Sequence, residues 1–141
     1  MIKLAVRVLD ARFGLARASG LFATPAWPNA SDPPFVNAAA ALASAPSPIG
    51  LLAALHEIEA AFGRRRTVRN APRTLDLDLL AFGELESAQD PILPHPGLFS
   101  RDFVLAPLAE IAPDFSPPGA GRSVLTLLHG LDRVSAVRIG G

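Results

Sequence analysis

Two aspartates one residue apart, in Leu75-Asp76-Leu77-Asp78-Leu79, are the first residues whose type and spacing suit chemistry. In an extended segment, residues i and i+2 share a face, so both carboxylates point one way and the flanking leucines the other. Two carboxylates held that close repel unless a cation or a proton lies between them. An oxygen-only pair, without His or Cys, suits a hard cation such as magnesium bound together with substrate phosphates. Taken alone, the pattern reads more readily as a solvent-facing strand edge with two ordinary Asp. The residues upstream reverse that order. Arg64, Arg65, Arg66, Arg69 and Arg73 precede the pair directly, and guanidinium forks match phosphate oxygens in bidentate fashion. Together the two groups supply both halves of a nucleoside triphosphate site: guanidinium for charge developing on the phosphates, metal to bridge them. A solvated basic loop facing surface acids is the competing reading. A nucleic-acid patch is weakened by a formal net charge of zero and by the lack of interleaved aromatics.

Two more groups carry polar or stacking chemistry. His95 lies in Leu-Pro-His-Pro, where prolines on both sides restrict the backbone and present the imidazole from a rigid loop. Alone, such a His is more often a structural hydrogen-bonder than a catalyst. Arg101 and Phe103 follow shortly after. The second group is Thr24-Pro25-Ala26-Trp27 with Phe35 and Asn37. Asn offers donors and acceptors suited to a heterocycle edge, and aromatic rings stack on flat ligands. The simpler reading of these residues alone packs Trp27 and Phe35 in the core and lets Asn37 satisfy a turn. His56 and His129 fall within apolar helical patterns and receive no role.

The elements that must position these groups alternate in type. Leu4, Val6, Val8, Leu9 and Phe13 predict a helix from Met1 to about Phe13. Residues 15–23 read as a strand ending at Thr24-Pro25, and residues 35–43 as a second strand. Between them ATPAWPNASDPP, with four prolines and no periodicity, is a loop. Ser47-Pro48 starts a helix, with Ser as N-cap and Pro in the first turn. Leu51, Leu52, Leu55, Ile58 and Phe62 form its core stripe, Glu59 lies at the edge of that stripe, and Gly63 closes it. Residues 74–82 read as a strand turned by Gly83. Phe103, Leu105, Leu108 and Ile111 predict a short helix, bent or interrupted at Pro107. Ser123 caps a helix through about His129, and residues 134–139 suit an edge strand.

Composition narrows the class further. A length of 141 residues suits one domain over residues 1–141, and half the residues are apolar. Mean hydropathy is positive, unlike a disordered tail. With no Cys, neither a disulfide framework nor a thiolate metal site is possible. Apolar stretches fall well short of the ~20 residues that span a bilayer, and the start reads as an amphipathic helix and not as a signal peptide. A cytoplasmic protein without membrane or nucleic-acid partners is expected.

Taken together, these motifs become specific. The stretches TPAW…PPFVNAAAAL, LLAALHEIEAAFGRRR, NAPRTLDLDLLAFG and LPHPGLFSRDFVLAPLAEIAPD resemble the 6-hydroxymethyl-7,8-dihydropterin pyrophosphokinases of folate biosynthesis. The resemblance covers most of the chain between Thr24 and Asp114. It implies an α+β, ferredoxin-like α/β sandwich, with helices packed on an antiparallel sheet. It also implies transfer of diphosphate from ATP to hydroxymethyl-dihydropterin, giving AMP and the pterin diphosphate. By the same resemblance, Asp76 and Asp78 match carboxylates that bind two magnesium ions. Arg64 and Arg73 match the catalytic arginines, and Glu59, Arg66, Arg73, His95 and Arg101 match ATP contacts. Asn37 matches the pterin-reading Asn, Phe35 and Phe103 the aromatic pair around the ring, and Thr24 and Trp27 the backbone that completes the pocket.

Two departures accompany the resemblance. Asn70 stands where many members have Trp. The family's first strand and its Gly-Ser-Asn loop also have no counterpart before the first helix. The natural product is therefore expected to start upstream of Met1 and to be monomeric when that segment is present. The competing reading is an inactive remnant or interaction protein that keeps the site residues without the strand.

Overall fold

The structure, a computed structural model, describes residues 1–63 and 75–141. Helix α1 (Ile2–Phe13) leads into strands β1 (Leu15–Ala18) and β2 (Leu21–Thr24), followed by β3 (Phe35–Asn37) and β4 (Ala40–Leu42). Helix α2 (Pro48–Ala61), a 3-10 turn (Pro96–Phe99), α3 (Asp102–Ile111), α4 (Val124–His129) and β5 (Val137–Gly140) complete the order. The mix of helices with antiparallel strands agrees with the α+β expectation.

The strands expected over 15–23 and 35–43 are each two short strands. β1 pairs with β4 and β2 with β3, so the four make one antiparallel hairpin with a break in the middle. Ser19 bridges the break: its N–H donates to the Ala39 carbonyl at 2.8 Å, and its hydroxyl accepts from Ala39 N–H at 2.8 Å. The neighbouring Gly20 explains the interruption. A Cβ there would overlap the Gly140 carbonyl oxygen, and the Gly20 N–H donates to Glu110 at 2.7 Å instead of to a strand. β5 pairs with the other edge of β2, giving the order β3-β2-β5. It begins at Val137, later than the expected 134, because Ser135 and Ala136 donate their N–H groups to the Asp102 carboxylate and not to the ladder.

Helix α2 starts as its sequence requires, with the Ser47 hydroxyl accepting from Gly50 N–H at 3.0 Å and Pro48 in the first turn. Its buried face joins Ala5 and Leu9 of α1 and Leu75 in one core cluster. A second cluster centres on Leu98, Leu105 and Val124, contributed by the 3-10 turn, α3 and α4. Residues 75–82 serve both: Leu75, Leu77, Leu79 and Phe82 pack on the first cluster, Leu80 and Ala81 on the second.

The strand expected over residues 74–82 is absent over 75–82, the part of it that is described. Residues 75–82 pair with no strand among the described residues. Their backbone finds other partners. Leu77 N–H donates to the Glu59 carboxylate at 2.8 Å, and the Leu80 carbonyl accepts from His95 N–H at 2.8 Å. The alternation survives without the ladder, since Asp76 and Asp78 are exposed while Leu75 is buried. Helix α3 runs through Pro107 without interruption, although proline has no N–H to donate to Phe103 four residues before it. Near the C-terminal end of α3, the carboxyl of Glu110 is held below its ordinary range. The Arg138 hydrogen bond is the main cause, the Gly20 N–H the next, and the guanidinium charge adds to both.

Candidate active site

One cavity of about 410 Å³ gathers much of the expected chemistry. Helix α2 contributes Leu52, His56 and Glu59 to its wall, and the segment 76–79 contributes Asp76 and Asp78. Asp90, Pro91 and Ile92 form another side, and His95, Pro96 and Arg101 close it. Five of the residues expected to act on nucleotide or metal are therefore neighbours around one space. Arg64, Arg66 and Arg73, as well as Arg65, Arg69 and Asn70, lie outside the described residues.

Glu59 explains why the two aspartates stand together. Expected at the edge of the α2 stripe, it is instead only 3% exposed. Its Oε2 accepts from Leu77 N–H, the amide midway between Asp76 and Asp78. That charge-assisted bond pins the strip to α2 while the flanking leucines anchor it in the core. The carboxylates of Asp76 and Asp78 are thereby turned outward into the cavity. Among the described residues no group of three His, Asp or Glu side chains could hold a metal ion. A carboxylate pair that must share its cation with phosphate oxygens and water fits magnesium, which keeps much of its shell for such ligands.

His95 and Arg101 are brought together by the 3-10 turn. His95 Nδ1 accepts from Gly97 N–H at 3.0 Å, which leaves Nε2 to carry the proton of the neutral ring. Arg101 N–H donates to the Gly97 carbonyl at 3.1 Å. Gly97 is buried, and a Cβ on it would lie 2.9 Å from Arg101 Cδ and 3.1 Å from His95 Nδ1. Gly97→Ala is therefore expected to displace the Arg101 side chain, at an overpacking cost of roughly 1 kcal/mol in stability. Urea unfolding of the variant checks this, and wild-type stability would count against it.

The second group assembles on a different surface. Phe35 and Asn37 share a face of β3, and Thr24, 6% exposed, is paired with Phe35 across the hairpin. Phe103 lies in the first turn of α3, the helix that packs on β2 and β3. Trp27 is 81% exposed and Phe35 51%, which excludes the simpler reading that both are core residues. Arg101 connects the cavity to Phe103: it lines the cavity, and its guanidinium carbon lies 5.8 Å from the Phe103 ring centroid. His56 and Asp90, given no part by the sequence, also line the cavity. His56 lies one turn before Glu59 on the same helix, a spacing that was legible in the sequence.

Residues 1–113 match the family model described as 7,8-dihydro-6-hydroxymethylpterin-pyrophosphokinase. The chain belongs to this family. Among its relatives is a 2-amino-4-hydroxy-6-hydroxymethyldihydropteridine pyrophosphokinase of Pseudomonas aeruginosa, 44% identical over 115 residues, covering 81% of this chain and 70% of that protein. Pyrophosphokinases of the same name from Synechocystis and Methylorubrum extorquens are 42% and 46% identical. Those matches cover 72% and 66% of this chain but 52% and 60% of those proteins. The chain thus spans little more than half the length of these two pyrophosphokinases. The family match takes in the aspartate pair, the His95 loop and α3, and stops before α4 and β5.

Proposed function

We propose that this chain transfers the diphosphate of ATP to 6-hydroxymethyl-7,8-dihydropterin, and that Asp76 and Asp78 are the residues that would hold magnesium. The observation that carries the reading is the shared cavity: Asp76, Asp78, Glu59, His95 and Arg101 surround one space, and Arg101 also lies against Phe103. In the reaction, the hydroxymethyl oxygen attacks the β-phosphorus and forms a new C–O–P linkage. The bond from that phosphorus to the α-phosphate oxygen breaks, AMP leaves, and the hydroxyl proton passes to water.

Asp76 and Asp78 would hold magnesium, which would supply charge neutralisation to the phosphates. The residues of the chain supply position. His95, as an Nε2–H donor, and Arg101, as a cation, hold phosphate or nucleotide oxygens. Arg64, Arg66 and Arg73 are assigned to the triphosphate by resemblance. Phe35 and Phe103 stack on the flat neutral ring while Asn37 reads its polar edge. Thr24 and Trp27 complete that pocket through their backbone. In-line placement of oxygen against phosphorus does more here than a strong base would.

Phosphorus NMR of a mixture of the protein, ATP, the pterin and magnesium tests the reaction by its products. Signals of AMP and a pterin diphosphate are expected; ADP with a pterin monophosphate would overturn the assignment. The ring-reading role has its own test. Asn37→Ala is expected to weaken pterin binding by about 1–3 kcal/mol, the cost of leaving a desolvated polar partner unmatched. An unchanged dissociation constant in pterin titration would remove Asn37 from the pocket.

A further inference from the structure

Asp102 stands between two residues of the site, Arg101 and Phe103, yet its carboxylate serves neither. Its Oδ2 accepts from Ser135 N–H at 2.6 Å, from Ala136 N–H at 3.0 Å and from the Ser135 hydroxyl at 3.1 Å. We propose that Asp102 is a positioning residue for the pterin surface: by clasping Ser135 and Ala136 it sets Phe103 at its working distance from β3. The proposal rests on the assignment of Phe35, Asn37 and Phe103 to the pterin.

The clasp closes a ring of contacts. Near the other end of α3, Glu110 Oε2 accepts from Arg138 Nε at 2.9 Å, and its Oε1 accepts from Gly20 N–H at 2.7 Å. Residues 135–138 thus hold α3 near both ends. From there β5 pairs with β2, and β2 with β3, which carries Phe35 and Asn37. Phe103 on the helix and Phe35 on the strand are therefore spaced through the C-terminal segment as well as by direct packing of α3 on the sheet. A ring held between two aromatic faces needs them about 7 Å apart, two contacts of ~3.5 Å, and tolerates little drift. Bonds to a carboxylate are stronger than neutral ones and suit such a strut. Arg101 is secured separately, by its N–H on the Gly97 carbonyl. The clasp therefore acts on the pterin side more than on the nucleotide side. The donors of the clasp lie beyond residue 113, outside the stretch matched to the family model.

Asp102→Ala tests this by separate equilibrium titrations with pterin and with ATP, well below the melting temperature. The pterin dissociation constant is expected to rise about tenfold, while that for ATP changes less than about twofold. A role confined to stability would lower the melting temperature and leave both constants unchanged in the folded fraction. Asp102→Asn keeps an acceptor but loses the charge, and is expected to give a rise of about two- to fivefold with the same selectivity. Unchanged pterin affinity in folded Asp102→Ala overturns the proposal, as does an equal loss for both ligands. Where the alanine variant does not fold, unchanged pterin affinity in Asp102→Asn does the same. Wild-type protein that binds no pterin overturns the functional assignment itself, which separates the two failures.

Discussion

Replacing either aspartate, as Asp76→Ala or Asp78→Ala, is expected to reduce turnover by about a thousandfold or more while pterin binding changes less than about twofold. The magnitude follows from the several kcal/mol that a bridging metal contributes to a phosphoryl-transfer transition state. The selectivity follows from the architecture. Both carboxylates line the 410 Å³ cavity, whereas Phe35 and Asn37 lie on β3 and are not part of its lining. Neither aspartate is buried or packs in a core cluster, so the fold should tolerate their loss. Single-turnover AMP formation measures the first effect, and pterin titration without ATP the second. Equal losses of turnover and pterin affinity would mean that the two surfaces are not divided as described.

Glu59→Ala is expected to have the next largest effect, and to act on stability and chemistry together. The side chain is buried and accepts the Leu77 amide. Its removal leaves that N–H without this acceptor, at a cost of about 1–3 kcal/mol. The strip bearing Asp76 and Asp78 then loses this hydrogen bond to α2, and turnover should fall about 10- to 100-fold, as when a group supporting a metal ligand is removed. The loss should be partly recovered at high magnesium concentration. Glu59→Gln retains an acceptor for the amide and should lie between. Urea unfolding and AMP formation across a magnesium series check both parts. A variant with wild-type magnesium dependence would show that Glu59 does not act through the aspartates.

Local patterns were legible where the physics is local. Ser47-Pro48 announced α2 because an N-cap acts within one turn. Ser123 likewise caps α4, accepting from Thr126 N–H at 3.2 Å. The alternation of Leu75, Asp76, Leu77 and Asp78 correctly gave the two faces, since period two follows from extended backbone alone. It did not reveal that the segment forms no ladder, because pairing depends on distant partners: the Glu59 carboxylate and the His95 amide. Glu59 looked like an edge residue for the same reason, its buried acceptor role being visible only once Leu77 lay against α2. The break at Ser19 and Gly20 and the late start of β5 have one origin. Glu110 and Asp102, both on α3, take amides that a strand would otherwise use. His56 was readable from its one-turn offset from Glu59, whereas Asp90 reaches the cavity only through the path of the 83–95 loop.

The most direct test of diphosphate transfer is the rate of AMP release from ATP in four mixtures, with and without the pterin and with and without magnesium. Rapid release is expected only when both are present, with one AMP formed per pterin diphosphate. AMP release that ignores the pterin, or that persists at the same rate after magnesium is chelated, would contradict the assignment of this cavity.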